Sequence, residues 1–583
     1  MTDRFDWAIE DIYKSEDEFY ADCERAEKDI SFSEFKGKLG DKNGFYACMK
    51  KQEKVGRIIE KLSVYAMMRF DTDTSSSRYD ALNKKAESLA VKYGEQSAFI
   101  TPELISLPEK TIRGYIEDAD LSEYDYFLKC LLKEKSHVLS EKEERLLALS
   151  SETLSSFRDI FTKIDNADLP LGKIKHGGKT YELSHGLYGV IMHDKDRVLR
   201  KKCFKAYYKA YGSLLNTISA TYAASVKKDV FTARARNYPS ALVKALDGED
   251  VSPVVYENLI STVNSALPLM HRYMSVKKKE LKLDNMYMYD VYVPTTEDAE
   301  IKLDYDKAYD LVIKALSCLG EEYTGLLKKA HDERWLSVKE TKNKRSGAYS
   351  VAVYDTHPFV LLNYQETTHD VFTIAHEMGH SIHSYFSNKT QPYSKADYKI
   401  FVAEVASTVN EVLLLRYLLK NAEDDKLKKY LLSYLLEMIR TTLFRQTQFA
   451  EFEEVVHAAA EKGIPLTKDF MCEEYLKLNK KYYGKAVVSE GEIKTEWARI
   501  PHFYRAFYVY KYATGIISAL AISDRILKEG KPAVEDYFKF LSMGGSNSPV
   551  EILKTAGVDL TKKDAFFAAM GVFENAIEEF SKL

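Results

Sequence analysis

Two histidines four residues apart, His376 and His380 in the run VFTIAHEMGHSIHSYF (371–386), face the same way only if the backbone between them is α-helical. The neighbouring residues favour that helix. Thr367 and Asp370 have the spacing of a capping box at its start, and no proline interrupts the run to Phe386. Glu377 then sits beside the pair. A helical H-E-x-x-H suits zinc, because neutral imidazoles at about 2.0–2.1 Å satisfy a tetrahedral ion and leave a position for a water that the glutamate can deprotonate. The pentapeptide also arises by chance in a chain of 583 residues, so the flanks decide. Ile374, Ala375, Met378 and Gly379 are apolar or small, which leaves partly buried imidazoles with little to satisfy them except a metal.

A catalytic zinc needs a third protein ligand. His383 lies one turn past His380, but the longer metal-binding motif wants a glycine there and a histidine three residues on, where this chain has His383 and Phe386. The next helical run, KIFVAEVASTVNEVLLLRYLL, sets Glu404 in an otherwise apolar stretch, behind a second capping-box spacing at Ser394 and Asp397. An unpaired carboxylate there is costly and zinc would compensate it, while Glu411, two turns on, is placed to orient a ligand histidine. The competing reading puts both glutamates on a solvated face. Further along, EWARIPHFYRAFYVYKYATG gathers His502, Tyr504, Tyr508, Tyr510 and Tyr512 into one helical window, whose donors could stabilise an oxyanion. In a chain with 41 tyrosines the rival reading is an aromatic core stripe.

The remainder is patterned mainly for helices. Gly (26) and Pro (13) are scarce beside 45% hydrophobic and 30% charged residues, the composition of an ordered helical protein. Residues 1–165 carry helical spacing with breaks at 37–44 and 102–108. Around His176-Gly177-Gly178 the stretch 167–193 predicts a hairpin or linker. Helical spacing returns from Arg197 to about 282, and MYMYDVYVP (286–294) reads as a strand. GAYSVAVYD (347–355) and HPFVLLNY (357–364) predict a small sheet, followed by helices broken at Gly463, Gly484 and 543–546. We expect a helical N-terminal region over 1–190 and a catalytic region over 195–583.

The formal charge of -4 gives no field that favours nucleic acid or an anionic membrane. Six dispersed cysteines form no C-x-x-C pair and no disulfide framework. An acidic N-terminus without an apolar leader, and no uninterrupted run of about 18 apolar residues, point to the cytoplasm and to no membrane association.

RFDWAIEDIY, HPFVLLNY before AHEMGHSIH, FVAEVASTVNE after it, IPHFYRAFYVYKYATG and MGGSNSPVEILKTAGVDL together resemble oligoendopeptidase F, a group of the thimet-oligopeptidase-like (M3) zinc peptidases, over nearly the whole chain. The resemblance implies a mainly α, zincin-like peptidase with a small sheet beside the catalytic helix and a deep channel that admits short peptides. It implies an N-terminal domain within about 110–185. It also implies one zinc ion held by His376, His380 and Glu404, Glu377 as general base, and His502 and Tyr508 at the reacting carbonyl with Tyr504 close by. In one departure, thimet-type members carry a Gly-rich spacer where His502 is followed here by Phe503-Tyr504-Arg505. Thermolysin-like enzymes place their glutamate earlier, where this chain has Lys399 and Ile400.

The expected reaction is hydrolysis of internal bonds in oligopeptides, with the substrate paired along the edge of the HPFVLLNY or GAYSVAVYD strand. Two rivals remain. A zinc carboxypeptidase would need a cation such as Arg499 or Arg505 for the terminal carboxylate, and a peptide-binding scaffold would need a closed, four-ligand structural zinc.

Overall fold

A computed structural model describes residues 4–296, 301–489 and 491–583. The chain is 73% helical with only small sheets, so the mainly α expectation holds. It folds into two compact units, each assembled from three separated segments. The first comprises Met1–Ser136, Glu300–Leu418 and Ile522–Val558, and the second His137–Ala299, Leu419–Ala521 and Asp559–Leu583. Among the described residues no helix is long and apolar enough to cross a membrane.

Seven strands occur among the described residues: β1 (Lys173–His176), β2 (Lys179–Glu182), β3 (Met286–Tyr287), β4 (Leu336–Lys339), β5 (Tyr349–Val351), β6 (Phe359–Tyr364) and β7 (Val487–Val488). The expected hairpin is β1–β2, which turns through Gly177 and Gly178, both at positive φ. The strand expected over 286–294 is a correction, since only Met286 and Tyr287 are extended, pairing in parallel with β7. The chain then tightens into a 3-10 turn because the Asp290 carboxylate accepts the Tyr287 N–H at 3.0 Å and is itself clamped by Arg197 and Arg200.

In the first unit β4, β6 and β5 form a three-stranded sheet in that order, β4 parallel and β5 antiparallel to β6. The 347–355 and 357–364 runs pair as expected, over shorter spans, and β4 is an addition. Alternation along β6 sends Phe359 and Leu361 into the apolar core built on the helices Lys42–Thr72 and Ser77–Ser97. Val360 therefore faces the other way, with its register partner Ser350. That second face meets helix α1 (Thr368–Thr390), where the Ser350 and Ser381 hydroxyls lie 2.9 Å apart. Helix α2 (Ile400–Lys420) then returns across α1.

Candidate metal centre

Helix α1 starts where the sequence placed it. Thr367 accepts the Asp370 N–H at 3.2 Å, and the Asp370 carboxylate accepts the Thr367 N–H at 2.9 Å. The capping box expected at Ser394 and Asp397 does not form. The Ser394 hydroxyl donates to the Glu123 carbonyl instead, a short helix Tyr393–Ala396 ends at Asp397, and α2 begins separately at Ile400.

The crossing of α1 over α2 is set by Gly379. A Cβ built there would lie 2.5 Å from the Ser407 Cα and 2.7 Å from the Ala406 carbonyl oxygen, so the two backbones touch at a spot only glycine allows. Asn410 locks the crossing by donating to the Ala375 carbonyl at 2.9 Å and accepting the Tyr323 hydroxyl at 2.8 Å. Neither role was read from the sequence. The small residue inside H-E-M-G-H was the available signal.

This crossing brings three ligand atoms together. His376 Nε2 lies 3.2 Å from His380 Nε2 and 3.4 Å from Glu404 Oε2, and His380 Nε2 lies 3.5 Å from Glu404 Oε2. An ion bound tetrahedrally at about 2.0–2.1 Å needs ligand atoms about 3.3–3.4 Å apart, so the triangle fits a single metal. It is also the one such group of His, Cys, Asp or Glu side chains among the described residues. Behind it, His376 Nδ1 and Glu411 Oε1 are 2.5 Å apart, which fixes the tautomer that donates to Glu411 and aims the Nε2 lone pair at the other two ligands. Glu404 is 45% exposed at its side chain, so the triangle opens on one side rather than being sealed in apolar packing.

The electrostatics of the metal-free residues point the same way. Burial alone would lower the pKa of His376, yet hydrogen bonds to Glu404 and Glu411 outweigh it and push the value up to about 10. Hydrogen bonds from the same two histidines hold Glu404 well below the usual carboxylate range. Two imidazoles and two carboxylates thus demand positive charge at this point, which a proton or a metal ion can supply. Glu377 is buried, and burial raises its pKa against the pull of His376 and His380. A carboxylate so placed is a stronger base than an exposed one. His383 is fully buried and stacks on Tyr398 at 3.8 Å, and neither ring nitrogen has a hydrogen-bond partner. It stands outside the ligand group.

His502, Tyr504 and Tyr508 belong to the second unit and are not on one helix. Pro501–Tyr504 is a 3-10 turn, Phe507 sits in the left-handed region at φ 55, and the following helix begins only at Tyr510. Helical spacing misled here because Phe507 breaks the helix while the Glu453 carboxylate holds its N–H at 3.0 Å. His502 is exposed and clusters with Tyr508, its ring 6.0 Å away, and Tyr512, whose hydroxyl is 3.3 Å from Nε2. Partial desolvation by the surrounding rings, then the Arg505 charge, lowers the pKa of His502 and so favours its neutral form. Tyr504 turns inward and stacks on Phe161 at 4.5 Å, the core-packing alternative raised for this stripe. Of the two cations considered for a terminal carboxylate, Arg499 is engaged by Glu496 at 3.1 Å and Arg505 lies over the Tyr508 ring.

Residues 190–572 match the sequence family described as Peptidase family M3, and residues 103–170 match the one described as Oligopeptidase F. The chain is 44% identical to Oligopeptidase PepF of Bacillus subtilis over 581 residues, covering 99% of this chain and 87% of that protein. A crystal structure from Chlamydophila abortus superposes with a TM-score of 0.95 at 36% identity, covering 100% of this chain and 98% of that one. Oligoendopeptidase-F from Enterococcus faecium gives a TM-score of 0.73 at 35% identity, with 97% of each chain covered.

Proposed function

Because the chain belongs to peptidase family M3 and is a metallopeptidase, we propose that it is a zinc-dependent endopeptidase that cuts internal bonds of short oligopeptides. The observation that carries this reading is the ligand triangle of His376, His380 and Glu404, spaced for one tetrahedral ion and backed by Glu411. One zinc ion held there would polarise the scissile carbonyl and make a water acidic at neutral pH.

The chain's own residues do the rest. Glu377 takes a proton from the attacking water and returns it to the leaving amine, a role that its burial supports. Sheet order supports one of the two strands considered for substrate pairing. β6 is central and has no free edge, whereas β5 is an edge strand packed against α1. We assign the peptide backbone to the β5 edge, which fixes main-chain register with loose side-chain preference. His502 and Tyr508 are assigned as donors to the carbonyl oxygen, with Tyr504 supporting their segment from its packed position. Catalysis is assigned to 195–583 and a helical N-terminal role to 1–190. Six cysteines that form no disulfide fit a reducing cytoplasm.

An endopeptidase is favoured over a carboxypeptidase because the chain resembles oligoendopeptidase-F and because Arg499, one of the two cations considered, already serves the Glu496 carboxylate. The test is cleavage of an internally quenched octapeptide blocked at both ends, before and after chelation and after zinc readdition, with products identified by mass. Internal cuts that vanish and return with zinc support the proposal. Cleavage only of peptides with free C-termini would replace it with the carboxypeptidase reading.

A further inference from the structure

In the second unit, the helical run from Asp425 to Glu461 is interrupted over Arg440–Phe444 by a π-helical turn. Such turns are rare and gather at functional sites. Here the turn bonds residues five apart, which brings Arg440 and Arg445 to one side. Their guanidinium carbons lie 4.8 Å and 5.8 Å from the centre of the same ring, Tyr292.

Both arginines are incompletely satisfied. Arg440 has no exposed surface and donates through Nε and Nη2 to Glu437, at 3.0 Å and 2.6 Å. Arg445, 10% exposed at its side chain, donates through Nη2 to Glu496 at 2.7 Å. In each the Nη1 atom is buried without a hydrogen-bond partner. The buried Tyr483 hydroxyl also lacks one and lies within electrostatic range of both guanidinium groups.

Both carboxylates are shared among several donors. Glu437 also receives Lys277 at 2.8 Å and the Tyr273 hydroxyl, while Glu496 receives Arg499 at 3.1 Å and the Tyr475 hydroxyl at 2.6 Å. Four cations therefore share two carboxylates. Water could satisfy the unpaired N–H groups but not the charge, and a buried excess of one sign is unfavourable without a counter-ion. A cavity of about 350 Å³ reaches this cluster, lined by Tyr292, Ser433, Tyr434, Glu437, Arg440 and Thr441. The carboxylate in its wall disfavours multiply charged ligands.

We propose that the π-turn builds a binding site for one small monovalent anion of chloride size, held by Arg440 and Arg445 beside Tyr292. The site lies apart from the metal-centre residues in sequence, and its test does not require peptidase activity. A halide and a small free carboxylate share this chemistry, and separate salts distinguish them.

The experiment is thermal unfolding of the full-length protein in sodium chloride, sodium acetate and sodium gluconate at equal ionic strength, with bromide-soaked crystals examined by anomalous scattering. Chloride should raise Tm over gluconate by about 1–3 °C and saturate, as expected of an anion that binds only the folded state. Arg445→Met should abolish the chloride difference. An equal response to acetate would identify small carboxylates as ligands of the same site. A bromide peak within hydrogen-bonding distance of Arg440 and Arg445 supports the proposal even if the variant fails to fold. Absence of that peak overturns it, whatever the Tm does.

Discussion

Replacing Gly379 with alanine tests the idea that one close backbone approach positions the whole metal centre. The new Cβ would meet the Ser407 Cα at 2.5 Å, the Ala406 carbonyl oxygen at 2.7 Å and the Ser407 nitrogen at 2.8 Å, where ordinary contacts begin at 3.4 Å. All three are backbone atoms, so no side chain can swing away. α1 and α2 must part by close to 1 Å, which carries Glu404 off the two histidines. Triangle sides of 3.2–3.5 Å would stretch beyond what a tetrahedral ion spans. Two energetic effects oppose each other. Alanine is the better helix former by about 1 kcal/mol, while overpacking a tight crossing costs about 1–3 kcal/mol. The clash is the larger on average, so the metal-free protein should lose up to about 2 kcal/mol and zinc affinity should fall by at least about tenfold. Urea unfolding of the apoprotein and competition against a chromogenic chelator measure the two separately. Unchanged affinity together with a raised unfolding midpoint would show that the helices are not held at this crossing.

Glu411→Gln keeps the shape of the side chain but weakens its grip on His376 Nδ1, and zinc affinity should fall by about 10–100-fold with the ligands intact, measured by the same competition. Tyr508→Phe should lower kcat by about 10²–10³ with little change in KM if its hydroxyl serves the oxyanion, and equal loss in both parameters would argue against that role. For His383, burial lowers the folded pKa to about 3 from 6.5. The unfolded chain therefore binds a proton between those values and the folded chain does not, so stability falls as pH drops from about 6.5 towards 3, by about 1.4 kcal/mol per unit at most. His383→Phe in the same aromatic slot should flatten the pH dependence of the apoprotein's urea midpoint, and parallel curves for the two proteins would contradict the assignment.

The parts of this site that local chemistry dictates were readable in advance. A capped, proline-free helix with H-E-x-x-H puts His376, Glu377 and His380 together as candidates, and an acid in the next apolar run points to Glu404, with Glu411 behind it. What escaped depends on contacts between distant residues. Glu404 is half exposed because its surroundings are an open site, which an apolar sequence window cannot express. The Ser394 hydroxyl chose a carbonyl at Glu123, and the break before Tyr508 rests on Glu453 gripping Phe507. β4 is four residues long and is made a strand by its parallel pairing with β6. Each unit draws on three separated segments, an arrangement with no local signature.

In the proposed mechanism Glu377 performs proton transfer beside a zinc ion it does not hold. Zinc content and turnover of purified Glu377→Gln, measured together against the unaltered protein, test it most directly. We predict one zinc per chain in both proteins and a kcat lowered by about 10²–10⁴ in the variant. Near-normal turnover with full zinc occupancy would remove Glu377 from the mechanism, and loss of the metal itself would make it part of the binding site.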